Sequence, residues 1–281
     1  MKKLNLSKTI QHIVNWIKTY ADNANIDTLV VGVSGGIDSS VVSTLCAMVG
    51  KNVILIEMPI GGNYNTEGVG AKHILSLQSK YNNVTHRVID LTDTFNAFKT
   101  TLSNTTNHAE SDNYKLMLAN SASRCRMMTL YSFSNIHKGL VVGTGNKVED
   151  FGIGFFSTGG DGVVDISPIA DLMKSEVYGL AEELELIPEV VSAIPTDGLW
   201  EDERSDESQI GASYDELEWA MGFVYENTRH EQGIDPYLEY NIEDISEREN
   251  EVLSIYLKRH KANKYKMLPI PICRLDDSFY I

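Results

Sequence analysis

The chain of 281 residues is 42% apolar and 22% charged, which is the composition of an ordinary globular protein. Its net charge of −15 argues against nucleic acid as a partner, because sequence-independent binding to phosphates needs clustered Lys and Arg. No apolar run approaches the roughly 20 residues of a membrane-spanning helix, so we expect no membrane partner. The cysteines Cys46, Cys125 and Cys273 lie far apart without a C-x-x-C pair, which indicates neither a disulfide framework nor a zinc site. Since no signal-like apolar segment follows Lys2 and Lys3, we expect a cytoplasmic protein.

Helical and strand patterns alternate along the first third of the chain. Residues 7–21 place their apolar side chains on one helical face, with Ser7 as the expected N-cap. Apolar runs predict strands over 28–33 and 52–58, and alternating apolar and polar residues predict a third strand over 84–90. Helices are predicted directly after the first strand, over 66–80 and from Thr92 or Asp93 onward. Strands separated by helices favour a parallel sheet with right-handed crossovers, in which ligands bind beyond the carboxyl ends of the strands.

The turn between the first strand and its helix reads Ser34-Gly35-Gly36-Ile37-Asp38-Ser39. Two glycines let the backbone adopt conformations that a Cβ would hinder, and they let a bulky anion approach the main chain. The first N–H groups of the helix have no intrahelical partner and the helix dipole adds about half a positive charge, so phosphate is the expected occupant. Asp38 offers an oxygen ligand suited to Mg²⁺. The turn is neither a Walker motif, which needs a Lys that is missing between residues 34 and 50, nor a G-x-G-x-x-G fingerprint.

The rest of the chain predicts one long helix, a fourth strand and three later helices. Ser111 or Asp112 is expected to cap a helix that continues to about His137. The strand is predicted over 140–142, and the later helices over 174–186, 213–227 and 245–263. The strand leads into the turn 143–149, which would face the same cleft as the glycine loop. Residues 151–171, rich in Gly and Asp, are also compatible with a surface hairpin, and the acidic run 201–208 is typical of a solvated segment.

Several charged residues allow more than one interpretation. Arg124 and Arg126 lie two positions apart on the predicted long helix, so their side chains point about 200° apart and cannot share one role. We expect one of them to face the ligand site and the other to form a salt bridge. Taken alone, Glu149 also fits a helix-capping carboxylate near Lys147, and Lys174 fits an exposed lysine in the first turn of a helix.

The glycine loop resembles the S-G-G-x-D-S pyrophosphate loop of the N-type ATP pyrophosphatases, which make AMP and pyrophosphate while adenylylating a carboxylate or carbonyl oxygen. With the later motifs added, nearly the whole chain resembles the ammonia-dependent NAD synthetases. The matching motifs occur in the family's order and are Ser34–Ser39, Arg124–Met127, Gly143–Glu149, Gly160–Lys174, and Pro195–Leu199 followed by Asp206 and Glu207. The resemblance implies one domain over 1–281 with a Rossmann-like α/β fold of the adenine nucleotide alpha hydrolase type. It implies a parallel sheet with helices on both faces, a helical C-terminal region, and a homodimer whose deamido-NAD site borders the partner subunit.

The reaction that this resemblance implies makes NAD from nicotinic acid adenine dinucleotide (deamido-NAD), ATP and ammonia. Residues implied to hold ATP are Gly32, Val33, Ser34, Gly35, Gly36, Ile37, Asp38, Ser39, Met58, Thr144, Lys174 and Thr196. Asp38, Glu149 and Lys174 are implied to be catalytic, with Mg²⁺ on Asp38 and Glu149. Residues implied to contact deamido-NAD are Arg124, Thr158, Asp161, Asp165 and Lys266. The stretch 200–208 matches a segment that orders over bound substrates in the family.

Two positions depart from the family pattern. Where the family has T-K-Y-G-D-G, Thr158 stands in place of the lysine and Gly159 in place of the aromatic residue. Near the C-terminus a family His-Lys pair corresponds to Tyr265 and Lys266, which keeps the cation but loses the histidine. Both changes leave the ATP half of the site intact and alter the dinucleotide half.

Two other functions remain open to the same sequence, and a third is not expected. A tRNA-modifying or other amide-forming ATP pyrophosphatase would share the chemistry, although the net charge of −15 argues against RNA. We do not expect a glutamine-dependent synthetase, which would need a glutaminase domain with its own nucleophilic Cys, because no such domain fits before Thr28. A non-catalytic adenine-nucleotide sensor would not need Asp38, Glu149 and Lys174 together.

Overall fold

A computed structural model describes residues 3–61, 65–103, 111–195, 205–227 and 245–279 of the chain. Its strands are Thr28–Gly32 (β1), Asn52–Glu57 (β2), Val84–Val88 (β3) and Gly139–Val141 (β4). Its α-helices are Leu6–Asn23 (α1), Ile37–Met48 (α2), Val69–Lys80 (α3), Thr92–Ser103 (α4), Asp112–His137 (α5), Lys174–Glu183 (α6), Pro188–Val191 (α7), Asp206–Ile210 (α8), Tyr214–Asn227 (α9) and Glu247–Met267 (α10). A π-helix covers Val148–Ile153 and a 3₁₀ turn covers Asp277–Phe279.

The described strands form one parallel sheet in the order β3-β2-β1-β4. Val30 at the centre of β1 lies opposite Ile54 on one side and Val141 on the other. The chain therefore runs outward from β1 through β2 to β3 and then returns to the opposite side of β1. In an open α/β sheet, ligands bind at such a reversal, beyond the carboxyl ends of the strands. The predicted parallel sheet is confirmed, and the glycine loop follows β1 at this reversal point.

Helices cover both faces of the sheet, as predicted. Successive strand residues point to opposite faces, so Leu29 and Val31 pack with α1, α2 and α6 in one buried cluster. Val30 points the other way and packs with Met127 and Leu130 of α5. Burial on both faces is the reason that β1 is a continuous apolar run without polar alternation.

The helix boundaries agree closely with the sequence patterns, with small differences that have local causes. Asn5, not Ser7, caps α1, because its side-chain oxygen accepts a hydrogen bond from the backbone N–H of Lys8 at 3.0 Å. Ser111 caps α5 as predicted, accepting from the N–H of Tyr114 at 3.2 Å. Helix α6 ends at Glu183 and does not reach Leu186, since Glu185 has a left-handed backbone with φ of 52°.

A second apolar cluster forms the helical C-terminal region, where α9 and α10 pack around the π-helix. The prediction that 201–208 is a solvated segment is wrong for Asp206, although Glu207 and Ser208 beside it are exposed. Ser205 caps the short helix α8, and Asp206 is only 6% exposed, because it lines the cavity. Within the described ranges, no helix has the length and apolarity needed to cross a membrane.

Candidate active site

A cavity of about 460 Å³ lies beyond the carboxyl ends of β1, β2 and β4. Its volume is within the range of small-molecule sites. Ten of the predicted ATP contacts line it, namely Gly32, Val33, Ser34, Gly36, Ile37, Asp38, Ser39, Met58, Thr144 and Lys174. Thr196 lies outside the described residues. The structure thus brings nearly all of the predicted nucleotide residues to one concave surface.

The glycine loop has a backbone that only glycine readily adopts. Gly35 has φ of +88°, and a Cβ built there would lie 3.0 Å from the backbone nitrogen of Gly70. Gly36 is the N-cap residue of α2 and offers no side-chain cap, so the first N–H groups of the helix remain available to a ligand. The hydroxyl of Ser39 stiffens the turn by donating to the carbonyl of Gly36 at 3.0 Å. This geometry suits a phosphate group.

We expect Gly35→Ala to raise the KM for ATP by on the order of 10-fold or more, because the loop must shift away from Gly70. Gly50→Ala is the matched control. Gly50 has nearly the same φ, +82°, but among the described residues no atom lies within 4 Å of the point that a Cβ would occupy there. Both variants should lose roughly 1–2 kcal/mol of stability through backbone strain. Equal KM values for the two variants, from steady-state kinetics, would contradict a ligand role for the loop.

The cavity floor holds a buried lysine between two carboxylates. Nζ of Lys174 lies 2.5 Å from Oδ2 of Asp38 and 3.0 Å from Oε1 of Glu149. Lys174 is 3% exposed, so the interpretation of an exposed first-turn lysine is wrong. Burial opposes the charge of Lys174, but Glu149 and Asp38 together outweigh it and hold its pKa above the ordinary value. Glu149 pairs with Lys174 and not with its neighbour Lys147, which pairs with Asp171 at 2.8 Å.

Asn146 connects the two carboxylates through the turn that follows β4. Its side-chain Nδ2 donates to Oδ1 of Asp38 at 3.1 Å. Its Oδ1 accepts from the N–H groups of Val148 and Glu149, both at 3.1 Å. The same fully buried amide therefore begins the π-helix that carries Glu149 and orients the carboxylate of Asp38. π-helical turns often occur at functional sites, where one extra residue redirects a side chain.

These two carboxylates fit a divalent cation. Both already contact one positive charge, the ammonium of Lys174, so a cation near this point is within reach of both carboxylates. Mg²⁺ is usually held by one or two carboxylates together with substrate phosphates and water. Among the described residues, no group of three or more His, Cys, Asp or Glu side chains has the geometry of a complete metal site. The donor set therefore suits an ion that shares its coordination with a bound triphosphate.

A third carboxylate, Asp150, also lines the cavity and was missed by the sequence reasoning. Its carboxylate lies so close to Gly145 that a Cβ at that position would clash with the carboxylate oxygens. Burial, together with the charges of Glu149, Asp161 and Asp38, raises its pKa to about 8. Asp150 therefore takes up a proton more readily than an ordinary aspartate does.

The two arginines of α5 have different environments. Arg126 lines the cavity, and its Nε donates to the carbonyl of Met58 at 3.2 Å. Arg124 is exposed, and its Nε donates to the carbonyl of Thr158 at 3.0 Å. The predicted separation of the two side chains is confirmed, but the sequence could not indicate that Arg126 is the one beside the nucleotide residues. The salt bridge expected of the other arginine is replaced, among the described residues, by the hydrogen bond of Arg124 to a backbone carbonyl.

Of the other predicted dinucleotide contacts, Asp161 lines the cavity, and Thr158, Asp165 and Lys266 are outside its described lining. Asp161 accepts from Oγ of Ser123 at 2.6 Å. Asp165 accepts from the N–H of Val141 at 2.7 Å. Lys266 donates to the carbonyls of Gly154 and Phe156 at 2.5 and 2.7 Å. Thr158 adjoins Arg124, so a cation stands next to the position where the family lysine is missing. The alternative interpretation of 151–171 as a surface hairpin is wrong, because the segment consists of the end of the π-helix and a series of turns.

Comparisons with known proteins show to which family the chain is similar. A family model described as NAD synthase matches residues 9–264. An NH(3)-dependent NAD(+) synthetase of Carboxydothermus hydrogenoformans is 36% identical over 218 residues, covering 77% of this chain and 85% of that protein. One of Alkaliphilus oremlandii is 34% identical over 277 residues, covering 95% and 98%.

Two solved structures have the same fold. An NMN synthetase from Francisella tularensis superposes with a TM-score of 0.76 at 24% identity, covering 97% of this chain and all of that one. An NH3-dependent NAD synthetase from Campylobacter jejuni gives 0.72 at 24% identity, covering 96% and 100%. From the length of the family match and the identity to these relatives, the chain belongs to the NAD synthase family.

Proposed function

We propose that this protein is an ammonia-dependent ligase that converts deamido-NAD to NAD, with ATP cleaved to AMP and pyrophosphate. The observation that carries the proposal is the glycine loop at the carboxyl end of β1, facing the Lys174, Asp38 and Glu149 cluster across one cavity. The membership of the NAD synthase family supports the choice of reaction. We further propose that Asp38 and Glu149 hold Mg²⁺, and that the enzyme is a cytoplasmic homodimer.

The chemical difficulty is that a carboxylate has no good leaving group for ammonia to displace. In the first step, an oxygen of the deamido-NAD carboxylate attacks the α-phosphorus of ATP, and the bond from that phosphorus to pyrophosphate breaks. In the second, ammonia attacks the acyl carbon of the mixed anhydride, AMP leaves, and one proton is released. The first step brings an anion against a highly charged triphosphate, so neutralising charge is the main requirement of the site.

The residues of the cavity meet that requirement. The free N–H groups at the start of α2 bind the phosphate oxygens that become the leaving pyrophosphate. Lys174, fixed between two carboxylates, provides a positive charge with little reorganisation. Bound Mg²⁺ supplies further charge neutralisation on the triphosphate. Holding both substrates in line contributes about 7–11 kcal/mol of the lowered barrier.

No covalent enzyme intermediate is needed. Burial raises the pKa of the Cys46 thiol, and the pKa of the half-buried Cys125 is also raised, mainly by burial. Since the thiolate is the nucleophilic form, neither cysteine is activated.

One assay tests the proposal. The protein is incubated with ATP, Mg²⁺, ammonium and deamido-NAD, and the products are separated. We expect NAD, AMP and pyrophosphate in equal amounts. Formation of ADP and phosphate would exclude adenylylation, while AMP formation with another carboxylate but not with deamido-NAD would keep the chemistry and reject the substrate. A sensor without catalytic activity would bind ATP and release none of these products.

A further inference from the structure

The first residue of α9 contacts both parts of the charged cluster, although nothing in the sequence connects it to them. The hydroxyl of Tyr214 donates to Oε1 of Glu149 at 2.6 Å. Nζ of Lys174 lies over the face of the tyrosine ring, 4.5 Å from the ring centroid, in a cation–π contact. The hydroxyl of Tyr214 thus orients Glu149, the proposed metal ligand, and its ring orients Lys174, the cation proposed to contact the phosphates.

Tyr214 is itself held firmly. It is 5% exposed within the apolar cluster of the C-terminal region. Its backbone N–H donates to Oε1 of Glu207 on α8 at 3.1 Å. Its hydroxyl also lies 3.4 Å from Oδ2 of Asp206, but a phenol has one proton, and the shorter distance assigns that proton to Glu149. Burial of the ring and the backbone hydrogen bond to Glu207 therefore fix the direction of the hydroxyl.

Helix α9 also fixes the helix that carries Lys174. One turn after Tyr214, the buried carboxylate of Glu218 accepts from the N–H of Ser175 at 2.8 Å and from its hydroxyl at 2.6 Å. Ser175 follows Lys174 directly, so this pair of hydrogen bonds anchors the start of α6. Helix α9 therefore supports Lys174 in two ways. The ring of Tyr214 contacts its ammonium, and Glu218 holds the backbone of the next residue, Ser175.

The role of Tyr214 becomes important when Lys174 turns to the phosphates of ATP. Oε1 of Glu149 has two donors within 3.0 Å, Lys174 and Tyr214. If the ammonium moves toward a triphosphate, Tyr214 is the donor that continues to hold this carboxylate oxygen. Partners that orient a metal-binding carboxylate in this way typically contribute 10–100-fold to metal affinity or activity.

We propose that Tyr214 is a positioning residue of this enzyme, acting through Glu149 and Lys174. Its hydroxyl holds the Glu149 carboxylate in the orientation that binds the divalent cation, and its ring supports the ammonium of Lys174. This inference rests on the proposed function, since it assumes that Asp38 and Glu149 bind the metal.

The test is Tyr214→Phe, which removes one oxygen atom and keeps the ring. Binding of Mn²⁺, as a spectroscopic substitute for Mg²⁺, is measured by electron paramagnetic resonance in the presence of ATP and without deamido-NAD. We expect the affinity for Mn²⁺ to fall by about 10-fold or more, and the Mg²⁺ concentration for half-maximal activity to rise by a similar factor. The KM for ATP at saturating Mg²⁺ should change by less than about 3-fold, because no phosphate contact is lost. Excess Mg²⁺ should restore at least half of kcat, which a general packing defect would not permit.

Tyr81→Phe is the matched control, because Tyr81 packs at the edge of the main core cluster, away from the cavity. Its metal affinity should equal that of the wild type. An unchanged Mn²⁺ affinity in Tyr214→Phe, or a lower kcat that excess Mg²⁺ does not restore, would overturn the inference. Failure of the proposed function is a separate result, since the wild-type protein would then form no NAD from deamido-NAD, ATP and ammonium, whereas the Mn²⁺ affinities are measured without deamido-NAD.

Discussion

Asp38→Ala is expected to reduce NAD formation by on the order of 10³-fold or more, with little loss of structure. Asp38 meets the ammonium of Lys174 at 2.5 Å and the amide of Asn146 at 3.1 Å, at the first turn of α2. Its loss removes one of the two proposed Mg²⁺ ligands beside the phosphate-binding loop. Glu149 continues to pair with Lys174, so the free energy of unfolding should fall by roughly 1 kcal/mol, which corresponds to about 2–4 °C in the thermal transition.

The measurement is the initial rate of NAD formation, with the thermal transition followed by circular dichroism. Asp171→Ala is the matched control, because this carboxylate also pairs with a lysine, Lys147 at 2.8 Å, but its side chain is 96% exposed. Its loss should leave the rate nearly unchanged, since exposed ion pairs contribute little. Wild-type activity in Asp38→Ala would refute the metal assignment.

Lys174→Met should have two opposite effects. The rate of adenylylation should fall by on the order of 10²–10³-fold, because a preorganised charge on the phosphates is lost. Binding of a divalent cation without nucleotide should become tighter by about 10-fold or more, because like charges placed side by side cost several kcal/mol and the ammonium no longer lies between Asp38 and Glu149. Methionine retains the apolar stem that packs in this buried position.

The two effects are measured separately, by pyrophosphate release and by calorimetric titration of the nucleotide-free protein with Mn²⁺. Lys147→Met serves as the control, since Lys147 precedes the same π-helix but pairs outward with Asp171. Neither quantity should change in the control. Weaker Mn²⁺ binding in Lys174→Met would show that the ammonium does not compete with the metal. Together with wild-type activity in Asp38→Ala, this outcome would show that the cation does not bind at Asp38 and Glu149.

Local patterns in the sequence determined the sheet and the phosphate loop. The strands β1, β2 and β4 are short apolar runs, β3 alternates apolar and polar residues, and the period of the apolar residues fixes which faces are buried. The glycine loop was predictable because its requirements are local: a positive φ at Gly35, free N–H groups at the start of α2, and an acid within the first turn. The family's motif order then placed Glu149 and Lys174 in the same site.

Only the tertiary structure decided how these groups are paired and supported. Lys174 and Asp38 are 136 positions apart in the chain, and Tyr214 and Glu149 are 65 apart, so no spacing in the sequence signals either contact. Spacing likewise separated Arg124 from Arg126 without showing that Arg126 faces the cavity. The burial of Asp206 was missed because an acidic run has the same composition whether it is solvated or packed. Hydrogen bonds and ion pairs act over about 3–4 Å and depend on burial, and both distance and burial are set when distant segments pack together.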